Sequence, residues 1–211
     1  MSDWKIHGNA ALVVNHMQAS ILDHNAGQAH DFGPIVRQSG AIEKTRALLE
    51  AFRARHLPIV FVHATVGTGG LQHHLPRYGQ LFDMIRGNIA ALDDPRGAST
   101  VIAELGRRPE EPVLLNWLLG AFTQSGLDMW LKIHHVDTLI LTGFATHAVV
   151  LNTTIQACDL WYSVVIPRDA VSSFLPDMSA RILDELLPFY AKVTTTEDVI
   201  ARLSRCGGQE R

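Results

Sequence analysis

Histidines and asparagines that close apolar runs are the residues of this chain best placed for chemistry. Asn15-His16 follows Ala11-Leu12-Val13-Val14, and His63 follows Pro58-Ile59-Val60-Phe61-Val62. Asn116 follows Val113-Leu114-Leu115, while Thr142 and Thr146-His147 follow Leu139-Ile140-Leu141. An imidazole, with an unperturbed pKa of ~6.5, gives or takes a proton near neutrality. An asparagine amide orients a partner but transfers no proton. The stretch TGFATHAVVLNTT, residues 142–154, adds another resource. Gly143 breaks a strand-like run and Ala148 to Ile155 has helical spacing, so the chain turns from strand into helix here. The N–H groups of such a turn can face a developing oxyanion.

These residues need elements to hold them, and strand-like runs alternate with helix-like ones through most of the chain. Strands are expected at 11–14, 58–62, 113–115, 137–142, 163–166 and 191–194. Helices are expected at 42–52, with apolar residues at 42, 48, 49 and 52, and at 125–134, 146–160 and 177–187. Strands apolar on both faces and joined by helices specify an α/β, doubly wound, Rossmann-like fold. The sheet should be mostly parallel, of about six strands, with helices on both faces. Ligands of such sheets bind beyond the carboxyl ends of the strands, where the polar residues above stand. Residues 1–211 read as one domain. The Gly-, Pro- and His-rich section at about 65–111 exceeds ordinary loop lengths and reads as a lid or an oligomer-contact arm.

Composition narrows the partners. A hydrophobic share of 47% and an aromatic share of 7% are those of a globular protein, and a net charge of −3 leaves no basic footprint for nucleic acid. No apolar run approaches the ~18 residues of a membrane span. The segment MSDWKIHGNA lacks a signal-peptide core, so no membrane association and a cytoplasmic location are expected. The two cysteines, Cys158 and Cys206, show neither CxxC nor disulfide-rich spacing. Eleven histidines invite a metal reading. His73 and His74, however, are adjacent on a loop and do not converge on one ion without further ligands, so neither metal nor cofactor is expected.

Four segments carry a resemblance. ALVVNHMQ resembles the first-strand motif of the isochorismatase-like hydrolases, the cysteine hydrolases of the nicotinamidase type, in which an Asp precedes Met-Gln. NWLLGAF resembles their Lys-x-x-x-Ser-Ala-Phe segment, and TGFATHAVVLNTT their Thr-Gly-x-x-Thr-x-x-Cys-Val turn. IPRDAVSSF is similar to the Asp-Ala-x-x-Ser strand ending. The resemblance spans essentially the whole chain and aligns the family's catalytic Asp with His16, its Lys with Asn116 and its nucleophilic Cys with Val149. Thiolate catalysis needs a cysteine and a base, so the usual amidase route is not expected. Cys158 does not substitute, because nine helical residues set it about 13.5 Å away on the opposite face. The nicotinamidase metal motif Asp-x-His falls on Gly-Thr-Gly within VHATVGTGG.

Isochorismatases themselves lack the thiol and protonate a vinyl ether. Their Ala-His-Ile-Gly resembles Thr146-His147-Ala148-Val149. The resemblance therefore leaves a cysteine-independent acid–base hydrolase of a small, ring-containing or apolar substrate, with His16 as proton donor or acceptor and Asn116 as polar anchor. It implies a cis Phe144–Ala145 bond and backbone donors on Ala145 and Val149. His147 and His63 would border the ligand, and Trp117, Leu118, Leu119 and Phe122 would form an apolar wall. A homo-oligomer is expected, with the 65–111 arm at or near the contact. The alternative is a catalytically inactive relative that binds a metabolite or serves as a subunit of an assembly.

Overall fold

The computed structural model describes residues 4–23, 32–66, 74–87, 89, 100–117 and 119–203. The apolar runs become β1 (Asn9–Asn15), β2 (Ile59–Thr65), β3 (Val113–Trp117), β4 (Val136–Phe144), β5 (Ser163–Pro167), β6 (Val171–Ser172) and β7 (Lys192–Thr194). They form one seven-stranded sheet in the order β3-β2-β1-β4-β5-β7, with β6 paired to β4 beyond the end of β5. Each of these ladders is parallel. The two-residue β6 is the strand that periodicity does not show, since alternation needs several residues to register.

The helices are α1 (Ala19–Leu22), α2 (Gly33–Gln38), α3 (Ala41–Arg53), α4 (Gln80–Gly87), α5 (Leu127–Ile133), α6 (Leu151–Asp159), α7 (Pro176–Arg181) and α8 (Thr196–Leu203). The expected helix 177–187 is instead α7, a wider π-helical turn Ile182–Leu186 and a 3-10 turn Leu187–Phe189. Pro188 lacks the N–H that a continuing α-helix needs, so the last turn tightens.

Alternation along β1 builds two cores. Leu12 and Val14 join Leu48, Leu49, Phe52 of α3 and Val199 of α8 on one face. Val13 joins Leu127 and Leu131 of α5 and Ala157 of α6 on the other. Each fully buried aliphatic side chain of this kind stabilises by roughly 1.5–3 kcal/mol, which is why both faces of the sheet are covered.

Strand order reverses direction between β1 and β4, and the chain leaves both at the same end of the sheet. Gly143, at φ +117°, is the residue this junction requires. A Cβ there would collide with the backbone of Asn15, its neighbour in the ladder. Close approach of β1 and β4 thus sets His16 and Ala145 beside the crevice that such a reversal opens. The 65–111 section contributes α4 and the 3-10 turn Ala103–Leu105. No helix among the described residues is long and apolar enough to cross a membrane.

Candidate functional site

His16 directly follows β1, in the left-handed region at φ +51°. Its backbone N–H donates to Val62 O at 2.8 Å, which ties it to β2. Two residues on, buried Gln18 brackets Ala64: Ala64 N–H donates to Oε1 at 2.6 Å and Nε2 donates to Ala64 O at 2.9 Å. Met17 O and Ala19 N–H bond the chain at Ile102 and Thr100. The histidine is thus held from both sides rather than left on a free loop.

Asn116 stands behind it. Asn116 Nδ2 donates to Gly120 O at 2.9 Å, so its Oδ1 faces His16 Nε2 at 3.1 Å. A carbonyl-type oxygen only accepts, and therefore Nε2 carries the proton. The ring atom left for a ligand is Nδ1, with a lone pair. Burial, with His16 only 3% exposed, pushes its pKa down to about 4, against the smaller upward pull of the Asn116 hydrogen bond. At neutral pH His16 is an uncharged acceptor. Of the two expected roles, proton donor or acceptor, burial favours the acceptor, because desolvation disfavours the charged ring.

A cavity of about 100 Å³ opens above His16. Ala145, Val149 and His147 line it from the β4 turn, as does Leu119 from the loop after β3. Phe32, Phe144 and Phe174 form its aromatic side, with Phe32 and Phe174 stacked at 4.9 Å and Phe32 and Phe144 tilted at 5.3 Å. Leu81, Met84 and Ile85 of α4 close it from above, so the described helix of the 65–111 section covers the chain's own crevice. Among the described residues no Asp, Glu, Lys or Arg lines the space.

The turn departs from expectation in one respect that matters. The Phe144–Ala145 bond is cis, as anticipated. Yet the helix at 146–160 begins as a π-helical turn, Thr146–Val150, in which the N–H groups of Ala148, Val149 and Val150 all point at Ala145 O, that of Val149 at 2.8 Å. The Val149 amide is consumed within the helix and is not a ligand donor. Ala145 is the donor that remains of the expected pair. Thr146 Oγ1 donates to Ser172 O at 3.1 Å and fixes the turn to β6. His147 Nδ1 lies 2.7 Å from Ser173 Oγ, its ring edge-on to Phe174 at 4.8 Å, and burial lowers its pKa.

Three expected residues lie elsewhere. His63 sits inside β2, fully buried, edge-on to Phe61 at 6.4 Å. The strand runs on to Thr65, so the crevice residue of β2 is Ala64. Trp117 is the last residue of β3 and, by strand alternation, faces away from Asn116. Phe122 stacks on Tyr162 at 5.9 Å within the core on the α5–α6 side. None of the three lines the cavity. Leu118, His73 and Cys206 lie outside the described residues, and His74 is exposed. Cys158 donates to Tyr190 O at 3.4 Å, and burial pushes its thiol pKa up. Phe32, Phe144, Phe174, Met84 and Ile85 were missed because long-range contacts bring them in. For Phe144 alone there was a local signal, its place at the end of the β4 run.

The isochorismatase domain model matches residues 10–198. The chain is 30% identical to an isochorismatase family protein from Burkholderia thailandensis, covering 95% of this chain and 98% of that one, with a TM-score of 0.77. It is 26% identical over 200 residues to YecD, an uncharacterized isochorismatase family protein of Escherichia coli O157:H7, covering 92% of this chain and 95% of the relative. The fold is also that of a cysteine hydrolase from Pseudomonas syringae pv. phaseolicola 1448A, with a TM-score of 0.78 at 19% identity, covering 97% of this chain and 99% of that one. On the sheet order, the β4 turn and this family match together, the chain belongs to the isochorismatase family of hydrolase-like α/β proteins.

Proposed function

We propose that the protein is a cysteine-independent hydrolase of a small, uncharged, ring-containing or apolar organic substrate, with His16 as a proton acceptor. The observation that carries this reading is the buried His16–Asn116 hydrogen bond at the floor of an apolar cavity. It leaves one lone pair, on Nδ1, beside a space that no Asp, Glu, Lys or Arg among the described residues lines. Water attacking an electrophilic carbon gives its proton to Nδ1 as the new C–O bond forms. The imidazolium so formed keeps its Nε2–H on Asn116 Oδ1. With a pKa near 4 it returns the proton readily to the leaving atom as the old bond breaks. The Ala145 N–H stabilises charge developing on the substrate oxygen. Val149 supplies no nucleophile but keeps the wall apolar.

A thermal-shift screen with neutral ring compounds, ring carboxylates, amides and vinyl ethers, followed by turnover assays on the hits, tests the proposal. Neutral ring compounds should stabilise the protein and carboxylates should not. His16→Asn should lower turnover about 10²–10⁴-fold while leaving binding within a few-fold. A ligand bound equally by both proteins and turned over by neither overturns the enzymatic reading. That outcome supports the second one, a metabolite-binding relative, which the commitment of the Val149 amide to Ala145 O favours.

A further inference from the structure

The inner cavity does not end at the aromatic side. Leu81, Met84, Leu119, His147, Ala148 and Phe174 line it and also line an outer groove of about 420 Å³. That groove continues along Leu151 and Ile155, one turn apart on α6, to Leu175 and Met178 at the start of α7. Ile155, Leu175 and Met178 remain 39%, 39% and 49% exposed. Gln80 and Asn152 are the polar members added by the groove, and among the described residues no charged side chain lines it.

The two spaces differ in what they accept. An apolar cavity of about 150 Å³ takes a benzene ring, and the inner space, about 100 Å³, is smaller, so it admits one small ring at most. The groove is larger, open and aliphatic. His147 and Phe174 line both spaces, and the Ser173 contact holds the His147 ring.

We infer that cavity and groove are one two-compartment site for an uncharged, elongated substrate, whose small ring fills the cavity next to His16 and whose apolar tail lies along Leu151, Ile155 and Met178. This rests on the cavity being the ligand site proposed above. Continuity through six shared residues makes the groove an extension of the same ligand rather than a separate docking face. Among the described residues no charged side chain lines either compartment, so a carboxylate on the ring, desolvated in the inner cavity, would find no partner there.

Calorimetric titration with 4-alkylphenols, from phenol to 4-pentylphenol, tests it. The phenol O–H takes the place at Nδ1 that the attacking water holds in turnover, and the alkyl chain reaches the groove. Affinity should rise about threefold to fourfold per methylene, the value of a CH₂ leaving water. Ile155→Glu and Met178→Glu, both at exposed positions that tolerate charge, should each flatten that slope while phenol itself keeps its affinity. A flat slope in the unaltered protein, with phenol bound, overturns the inference and leaves the cavity reading standing. Failure of phenol to bind overturns both. Loss of an oligomer in Met178→Glu together with a flat slope would assign the groove to a second copy of the chain and likewise overturn the inference.

Discussion

A single imidazole decides what this cavity does. His16 is pushed from 6.5 to about 4 by burial, so between those values the unfolded chain binds a proton that the folded protein refuses. Stability is therefore present above pH 6.5 and declines as pH falls toward 4. The shift corresponds to about 3 kcal/mol for His16. His147 is displaced the same way by burial. Comparison with His16→Asn isolates the His16 part, and asparagine suits the left-handed backbone at this position. Denaturant unfolding at pH 7 and pH 4.5 should show a loss in the parent that is smaller by a few kcal/mol in the variant. Equal losses in both would mean that His16 carries its charge in the folded state.

At the scale of elements, the approach to β3 is anchored by an ion pair to α3. Arg53, at the end of α3, meets Glu111 at 2.7 Å with side chains only 11% and 6% exposed, and Glu111 also accepts from the Arg108 N–H. Burial opposes the ionised Glu111, yet the Arg53 hydrogen bond and the Arg108 amide outweigh it, and its pKa falls below the usual value. Glu111→Gln leaves the Arg53 cation without its counter-charge and should cost about 3 kcal/mol. Urea unfolding measures this, and a change under 1 kcal/mol would show that solvent compensates Arg53. The elements themselves were legible in the sequence: both cores follow apolar runs, and motif register brought His16, Asn116, Ala145, His147 and Val149 to one crevice. Trp117 and His63 were misplaced because β2 and β3 run further than their apolar cores, and a one-residue change in strand position reverses the face, whereas Phe122 follows β3 and is drawn to Tyr162 by tertiary packing. The aromatic wall was not legible, since Phe32 and Phe174 reach Phe144 only through tertiary packing.

At the scale of the whole molecule, the described helix of the 65–111 section turns Leu81, Met84 and Ile85 toward the chain's own cavity, and a separate apolar surface stands elsewhere. Met129 and Ile133, one turn apart on α5, are 64% and 65% exposed, and Trp161 is 95% exposed. Tyr162 Oη donates to Asp128 at 2.9 Å, which brings the neighbourhoods of Trp161 and Met129 together. We expect a homo-oligomer that covers this apolar surface. Light scattering at micromolar concentration should give at least twice the chain mass, and Ile133→Glu should reduce it; a monomer contradicts the expectation. Sheet order, turn and lid helix nonetheless converge on one ring, and its state in the intact protein is the measurement that matters most. Nitrogen-15 NMR of the His16 imidazole reads both its protonation and its tautomer. The account predicts a neutral ring at pH 7 with the proton on Nε2, titrating only near pH 4. A ring protonated on both nitrogens at pH 7, or carrying its one proton on Nδ1, would contradict it.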